Sequence, residues 1–415
     1  MSKYSLDLAL PAPASEEKLI LLGATVGALL SWVFFRIQVS GWGIIEIETV
    51  EVILYVGAIG AVSVLTVLRE GRQVIRGSMA IVLGSVAILL YWNALELFWL
   101  APQNNYFLIG GLVPSSDADS WLSGGWRLLE TGTISEGDQR RPVNAALHAL
   151  RLYIAGSFQG SLMLGAVVCA AASLYAAYAL KSSLGWPGAA VFLVFSFWLI
   201  REHLPLAMTE VHGFIFGCLA FGCLWRAALT RSSPLFGLGL VLLSIGLNAR
   251  SGPFFVLPAL LLWGTMNLGV GRRLSFKALL VGTLAILSGL LVSTWFAWLW
   301  GSGENIQQAN FSLTLYGMAV GGKGWLQALS DFPTLFKSGF GSGREAEIAQ
   351  FLYAESLKEI IGQPDRFIKY FLAELWEFMY LFLKYDLGVS RIAMVLAALW
   401  ILVRWRDRLA QMGIL

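Results

Sequence analysis

Residues 115–143, SSDADSWLSGGWRLLETGTISEGDQRRPV, form a polar stretch in a chain that is otherwise apolar for long runs. Of the 415 residues, 57% are hydrophobic and only 13% are charged, and the mean hydropathy is +0.69. A soluble domain has about a quarter of its residues charged. The composition therefore predicts an all-α polytopic membrane protein, in which this stretch is a connection outside the bilayer.

Ten apolar runs approach the roughly 20 residues that a membrane-spanning helix requires. They lie at 19–35, 50–68, 78–100, 157–180, 184–200, 213–229, 235–249, 253–268, 278–299 and 388–403. Lys and Arg cluster in the connections on one side of these runs, whereas Arg36, Arg201 and Arg250 stand singly in the short connections on the other. Because positive residues favour the cytoplasmic side, both termini are expected in the cytoplasm.

This topology divides the chain into five parts. They are a tail with three spans (1–100), an outer loop (101–156), a membrane bundle (157–299), a second outer region (300–387), and a last span with a basic tail (388–415). Both long connections fall on the extracytoplasmic side. Amphipathic helices resting on the membrane surface are predicted over 117–131 and 366–385, since each mixes an apolar face with charged positions.

The pattern around the first of these helices is typical of a helix start and end. Ser116 and Asp119 have the spacing of a capping box, and Gly132 follows as a C-terminal glycine would. Asp117 and Asp119 could simply satisfy the free amides and the dipole of the helix start. That interpretation needs no catalytic role for either carboxylate.

Three motifs resemble the GT-C fold glycosyltransferases, integral-membrane enzymes that take sugar from a polyprenyl-phosphate donor. An outer loop begins with Asp117, continues as a helix to "LLETG" at Gly132, and meets "RRP" at Arg140 and Arg141. "PLAMTEVHGFIFGCLAFGCLWRAAL" and "LNARSGPFFVLPALLLW" also resemble family segments at the outer ends of spans. The likeness is to the protein mannosyltransferase and aminoarabinose transferase relatives, and it covers roughly residues 85 to 270.

The resemblance implies sugar transfer from a polyprenyl-phosphate-linked donor to an extracytoplasmic acceptor hydroxyl on a glycan, lipid or protein. Such a reaction needs a base for the hydroxyl proton and a cation for the departing phosphate. Asp117 or Asp119 suits the first task. Guanidinium groups suit the second, because they pair bidentately with phosphate oxygens. The candidates for the second task are Arg250, Arg140, Arg141 and Arg201.

Two further predictions concern outer residues. Glu210 and His212 could hold a divalent cation such as Mg²⁺ or Mn²⁺, or contact the acceptor, although a solvated turn explains them as well. Lys323 lies in a glycine-dense segment that is expected to be mobile and to close over substrate. A simple interfacial connection is the alternative for that segment.

Partners are expected to be the lipid-linked sugar, membrane lipids and the acceptor, within the inner or plasma membrane. The small net charge of +3 does not indicate a nucleic-acid partner. Other functional classes stay open. A lipid or solute transporter or flippase would place ionisable groups inside its spans, and a non-catalytic membrane scaffold would share the fold without the activity.

Overall fold

The computed structural model describes residues 84, 87, 91, 92, 94, 95, 106–108, 113–250, 252, 254, 256–269, 274–301, 309–321, 324–336 and 344–384. The described chain is mostly helical, which confirms an all-α protein in broad outline. One short antiparallel hairpin, β1 (Phe107–Leu108) and β2 (Val113–Pro114), was not predicted.

The helices follow the hairpin in chain order. They are α1 (Ser116–Thr131), α2 (Glu136–Gln139), α3 (Pro142–Ala155), α4 (Phe158–Ile200), α5 (Thr209–Thr230), α6 (Ser233–Ala249), α7 (Val256–Asn267), α8 (Phe276–Trp300), α9 (Ala309–Val320), α10 (Leu326–Asp331), α11 (Glu345–Gly362) and α12 (Pro364–Lys384).

Helix α4 is two helical arms joined at Gly185. This residue has φ of 69° and ψ of −175°, a backbone conformation that glycine adopts at little cost. The arms Phe158–Trp186 and Gly188–Ile200 match the separately predicted spans 157–180 and 184–200. Ala177, Trp186 and Ala189 pack in one buried cluster, so residues on both sides of this kink share a core.

The six spans predicted between 157 and 299 all coincide with apolar helices. Three helical segments are long and apolar enough to cross a membrane: Phe158–Trp186, Thr209–Thr230 and Phe276–Trp300. Three others are shorter apolar helices: Gly188–Ile200, Ser233–Ala249 and Val256–Asn267. The structure thus indicates a membrane protein with three helices of spanning length among the described residues, and the number of ten spans stays a prediction.

The remaining predicted spans are not covered by the structure. The runs 19–35, 50–68 and 388–403 lie outside the described residues. Within 78–100, only six positions are described, and all six are helical.

The chain divides into two compact units, one of Met1–Asp119 with Ile154–Gly222 and the other of Ser120–Tyr153 with Cys223–Leu415. The first unit has a buried core in which Tyr91 and Leu95 pack against α4 and α5. The Tyr91 hydroxyl lies 2.5 Å from the Ser173 hydroxyl, and its ring lies 5.2 Å from that of Phe197. A polar atom inside this core is therefore hydrogen-bonded, as burial requires.

Small residues bring α6, α7 and α8 together in the second unit. The fully buried Phe236 of α6 fills the space left by Gly264 of α7 and by Gly282 of α8, where an added Cβ would meet its ring. The opposite face of α8 exposes Leu280, Leu284 and Leu291. Helix α8 thus has a small-residue face for packing and a leucine face suited to lipid.

Both predicted amphipathic segments are helices, α1 and α12, as expected. Gly132 follows α1 with φ of 71°, and its amide donates to the Leu128 carbonyl, which confirms the glycine cap. The predicted capping box is wrong in its geometry. Ser116 has φ of 54°, whereas a serine that caps a helix adopts extended backbone.

Candidate functional site

The outer loop has a core built on two consecutive glycines of α1. A Cβ at Gly124 would overlap the carboxylate of Asp138 on α2, and a Cβ at Gly125 would lie 2.8 Å from the Cβ of His148 on α3. The pair Gly124–Gly125 therefore lets polar groups of α2 and α3 approach the α1 backbone closely. Apolar packing completes the core, where Leu128, Ile134, Ala145 and Ala149 form a buried cluster.

Asp138 is a buried carboxylate, with only 4% of its surface exposed. Burial raises the pKa of this carboxyl, and the hydrogen bonds from Ser135 and the charges of Arg127 and Arg140 partly oppose the rise. The Ser135 hydroxyl donates to Oδ2 of Asp138 at 2.5 Å, and the Asp138 amide donates back to that hydroxyl oxygen. Ser135 thus caps α2 and holds the carboxylate at the same time.

His148 is the second buried titratable group of this core. Its side chain is completely buried, and desolvation lowers its pKa well below the ordinary value, with a further contribution from the charge of Arg151. The imidazole is therefore neutral in the folded protein at pH 7. Other polar side chains are buried beside it in the same loop: Gln139, Asn144 and Arg151.

Two outer segments that are far apart in sequence meet in the second unit. The Ile134 amide, after α1, donates to the carbonyl of Trp300, the last residue of α8, at 2.9 Å. Trp300 also packs against the buried cluster around Ile134. The long connections 101–156 and 300–387, which were predicted on the same side of the membrane, are thus in contact.

A bidentate ion pair makes the second connection. Arg140, at the end of α2, donates from Nε to Oε2 of Glu345 at 2.6 Å and from Nη2 to Oε1. Glu345 is 1% exposed and Arg140 is 20% exposed. Glu345 is also the first residue of α11, where the helix dipole favours a negative charge. Two parallel hydrogen bonds of this kind fix the plane of the guanidinium as well as its position.

Glycines after α9 determine where Trp325 lies. Gly321 and Gly324 have φ of 134° and 68°, values that disfavour residues with a side chain. A Cβ on Gly317 of α9 would overlap the Gly324 carbonyl, so the chain returns directly across that glycine. Trp325 directly precedes α10, and 53% of its surface is exposed.

A pocket of about 310 Å³ lies beside the ion pair. Its described lining consists of Arg140 from the first outer segment and four residues of the second: Asn310, Leu313, Thr314 and Trp325. Asn310, Leu313 and Thr314 are three and four residues apart on α9 and therefore share one face of that helix. The pocket combines a guanidinium, an amide, a hydroxyl and an indole, which is a lining suited to a small polar ligand.

The two candidate bases lie at the start of α1. Asp117 and Asp119 are both exposed, in the first turn of the helix. Neither side chain has a hydrogen bond or ion pair to another residue that the structure describes. Both carboxylates are thus accessible, and their catalytic role stays a prediction.

The other predicted cations have different surroundings. Arg141 lies over the Trp121 ring, with its guanidinium carbon 5.0 Å from the ring centroid. Arg201 follows α4 and lies 3.9 Å from the exposed carboxylate of Glu202. Arg250 follows α6, where its amide donates to the Gly246 carbonyl and its side chain is half-buried.

Glu210 and His212 lie in the first turn of α5. The Thr209 hydroxyl donates to Glu210 at 3.3 Å, and His212 is buried. Within the part of the chain that the structure describes, no three His, Cys, Asp or Glu side chains are grouped so as to hold a metal ion. The role of this pair stays a prediction, and Lys323 lies outside the described residues.

The sequence reasoning did not single out Glu345 or the pocket wall. Glu345 stands in "GREAEIAQ", where neighbouring Arg344 and Glu347 form an exposed pair of their own and look equally suited to a partner. The i, i+3, i+4 spacing of Asn310, Leu313 and Thr314 was a usable signal for one helix face. Which residue faces them could not be read from spacing.

Comparison with protein-family models, with curated proteins and with solved structures finds no match to this chain. The resemblance to GT-C glycosyltransferases therefore rests on the short motifs around Asp117, Glu210 and Arg250.

The first prediction tests the buried ion pair. Arg140→Met leaves the Glu345 carboxylate buried without its cation, so we expect the free energy of unfolding to fall by about 3–5 kcal/mol. The double variant Arg140→Met, Glu345→Leu removes both charges and should recover most of that loss. Thermal unfolding of the purified protein in detergent measures both.

Arg344→Gln is the matched control for this experiment. It removes the neighbouring arginine, whose partner Glu347 is exposed, and it should leave the unfolding temperature nearly unchanged. An Arg140→Met variant as stable as Arg344→Gln would contradict a buried pair at this position.

The second prediction concerns pH. His148 is neutral when folded, but unfolding exposes an imidazole with a pKa of about 6.5. Its contribution to stability is complete above that value and is lost as pH falls from 6.5 toward the lowered pKa of the folded state, at up to about 1.4 kcal/mol per pH unit. His148→Asn should remove this part of the slope in unfolding measurements between pH 7.5 and 5.5. Glu130→Gln, on the exposed face of α1, should keep it, and an identical slope in His148→Asn would reject a buried neutral imidazole.

Proposed function

We propose that this protein is a membrane glycosyltransferase that moves a sugar from a polyprenyl-phosphate-linked donor to an extracytoplasmic hydroxyl. The observation that supports it most is the union of the two outer segments, through Ile134–Trp300 and Arg140–Glu345, around a pocket with polar and aromatic lining. A transferase of this class needs such a site at the membrane surface, because its donor remains in the bilayer while its acceptor arrives from outside.

The proposed reaction uses few groups. A carboxylate, Asp117 or Asp119, accepts the proton of the acceptor hydroxyl while that oxygen bonds to the anomeric carbon. The bond between the anomeric carbon and the phosphate oxygen breaks, and polyprenyl phosphate leaves with the bonding pair. Arginine stabilises the leaving phosphate, with Arg250 as the leading candidate among the predicted cations.

The structure gives this scheme physical support at two points. Both carboxylates are exposed on α1, so an acceptor can reach them. Large aromatic side chains are exposed on the second unit, at Trp298 (78%), Trp325 (53%) and Trp376 (71%). Tryptophan is enriched where a membrane meets water, which favours a position for these outer segments at the headgroup level.

The proposed topology has about ten spans with both termini in the cytoplasm. The contact between the two outer segments favours it, because segments that touch must lie on the same side. An even number of crossings between them is then required, and six apolar helical segments lie between residues 157 and 301.

The third prediction tests catalysis. Asp117→Asn preserves size and hydrogen-bonding capacity at the helix start, so the fold should persist. If Asp117 is the base, sugar transfer in proteoliposomes that contain a labelled polyprenyl-phosphate sugar should fall by about 10²- to 10⁴-fold, while donor binding is retained. We expect a smaller loss for Asp119→Asn.

Glu130→Gln, an exposed carboxylate at the far end of α1, serves as the control and should transfer at the normal rate. Full turnover in the double variant Asp117→Asn, Asp119→Asn would reject both carboxylates as the base.

The fourth prediction tests sidedness. The native cysteines Cys169, Cys218 and Cys223 are buried, so we expect little reaction of their thiols with the maleimide. Thr133→Cys, exposed in the first outer segment, should react with a membrane-impermeant maleimide added to intact cells. Thr230→Cys, exposed at the end of α5, should react only after permeabilisation. The reverse pattern would overturn the topology and the proposed site with it.

A further inference from the structure

The described lining of the pocket beside α9 is electrostatically unsuited to a phosphate. Arg140 is its only cationic side chain among the described lining residues, and Glu345 already binds that guanidinium through both oxygens. Glu345 is 1% exposed, so water does little to screen its charge. A phosphate at this position would bring one or two further negative charges to a cation that is already neutralised.

A second carboxylate strengthens this conclusion. Asp138 is buried two residues before Arg140, and the charge of Arg140 acts on it as well as on Glu345. The positive charge of Arg127, on α1, offsets part of the negative charge of Asp138. The surroundings of Arg140 are thus close to neutral, whereas an anion site needs positive charge in excess.

The same lining is suited to an uncharged, hydroxyl-rich ligand. The Asn310 amide both donates and accepts hydrogen bonds, the Thr314 hydroxyl does the same, and the Arg140 guanidinium donates. Trp325 provides a large aromatic face with more than half of its surface exposed, on which the C–H face of a sugar ring can stack. A volume of about 310 Å³ is at the lower limit for ligand pockets, which favours a ligand of one ring.

We infer that this pocket binds a single uncharged sugar ring, with Trp325 stacked on one face of the ring and Asn310, Thr314 and Arg140 hydrogen-bonded to its hydroxyls. Glu345 is the positioning residue that holds the Arg140 guanidinium in place for this contact. The identification of that sugar as a substrate rests on the proposed function, whereas the preference of the pocket for a neutral ring does not. Of the predicted arginines, Arg140 then serves sugar binding and leaves the lipid phosphate to others.

The test is saturation-transfer NMR on the full chain in detergent micelles. The probes are methyl α-mannopyranoside, methyl β-glucopyranoside and methyl β-galactopyranoside at millimolar concentration, each with and without a tenfold excess of inorganic phosphate. We expect transfer to the ring hydrogens of at least one glycoside, no reduction by phosphate, and at least a fivefold reduction in Trp325→Ala. Trp298→Ala, which removes a more exposed tryptophan at the end of α8, is the matched control and should retain the signal.

Three results would overturn the inference: no transfer to any of the three glycosides, an equal signal in Trp325→Ala, or displacement of the sugar by phosphate. Arg140→Lys separates positioning from folding, because it keeps the positive charge but cannot form the bidentate pair. It should reduce sugar binding while the unfolding temperature falls less than in Arg140→Met. An unchanged sugar signal in a folded Arg140→Lys variant would also count against the assignment.

These outcomes are distinguishable from failure of the proposed function. If the NMR signal depends on Trp325 but no sugar moves from a lipid-linked donor to an acceptor, the carbohydrate site is supported and the transferase activity is rejected. Transfer that is unaffected by Trp325→Ala leaves the transferase and rejects the sugar pocket.

Discussion

The buried pair between Arg140 and Glu345 is the interaction on which the outer part of this protein depends. It joins residues 205 positions apart, one at the end of α2 and one at the start of α11. Its geometry is bidentate and its carboxylate is almost fully buried, so the pair fixes orientation as well as proximity. Arg140, held by this contact, lines the pocket together with residues of α9 and Trp325. Removal of the Arg140 charge would leave the Glu345 carboxylate buried without this cation.

The core of the outer loop, which supports this pair, contains several buried polar groups. An outer loop of a membrane protein has few apolar residues to bury, and this one buries polar groups instead. Gly124 and Gly125 let Asp138 and His148 lie directly against α1, and Ser135 supplies a hydrogen bond to the carboxylate. Burial makes each of these polar groups sensitive to its neighbours, so the core tolerates little change. The same property makes the core a precise support for Arg140.

Much of the helical framework could be predicted from the sequence, because apolar runs of spanning length have no soluble alternative. The end of α1 at Gly132 was equally readable, since glycine meets the need for positive φ there. The start of α1 was not, because Ser116 adopts a left-handed backbone that no local pattern indicates. The partner of Arg140 was unpredictable for a different reason. Helical periodicity relates neighbours along one helix, whereas the choice of Glu345 over Glu347 depends on which face of α11 meets α9.

The candidate site residues likewise differ in what their sequence pattern could predict and what depends on tertiary contacts. Asp117 and Asp119 were identified from a motif, and they lie exposed at a helix start, where a cap and a base would look alike. Arg140 was predicted as a phosphate ligand from its place in the "RRP" motif and from its guanidinium charge. The structure shows that Arg140 has a carboxylate partner, Glu345. An arginine whose charge is already neutralised is suited to a neutral ligand, whereas an arginine without such a carboxylate is suited to an anion. Charge in a sequence indicates what a residue could bind, and its partners determine what it does bind.

The most direct test of this account is a cross-linking measurement on intact cells. Gly137→Cys on α2 and Arg344→Cys, the exposed residue before Glu345, are introduced together so that the Arg140–Glu345 pair stays intact, and a short, membrane-impermeant bifunctional maleimide is added from outside. Because the native cysteines are buried, proteolysis followed by mass spectrometry can report the engineered link alone. The account predicts a 137–344 cross-link without permeabilisation. A cross-link that appears only after the membrane is opened, or no cross-link although each cysteine reacts singly, would contradict an outer site built from both segments.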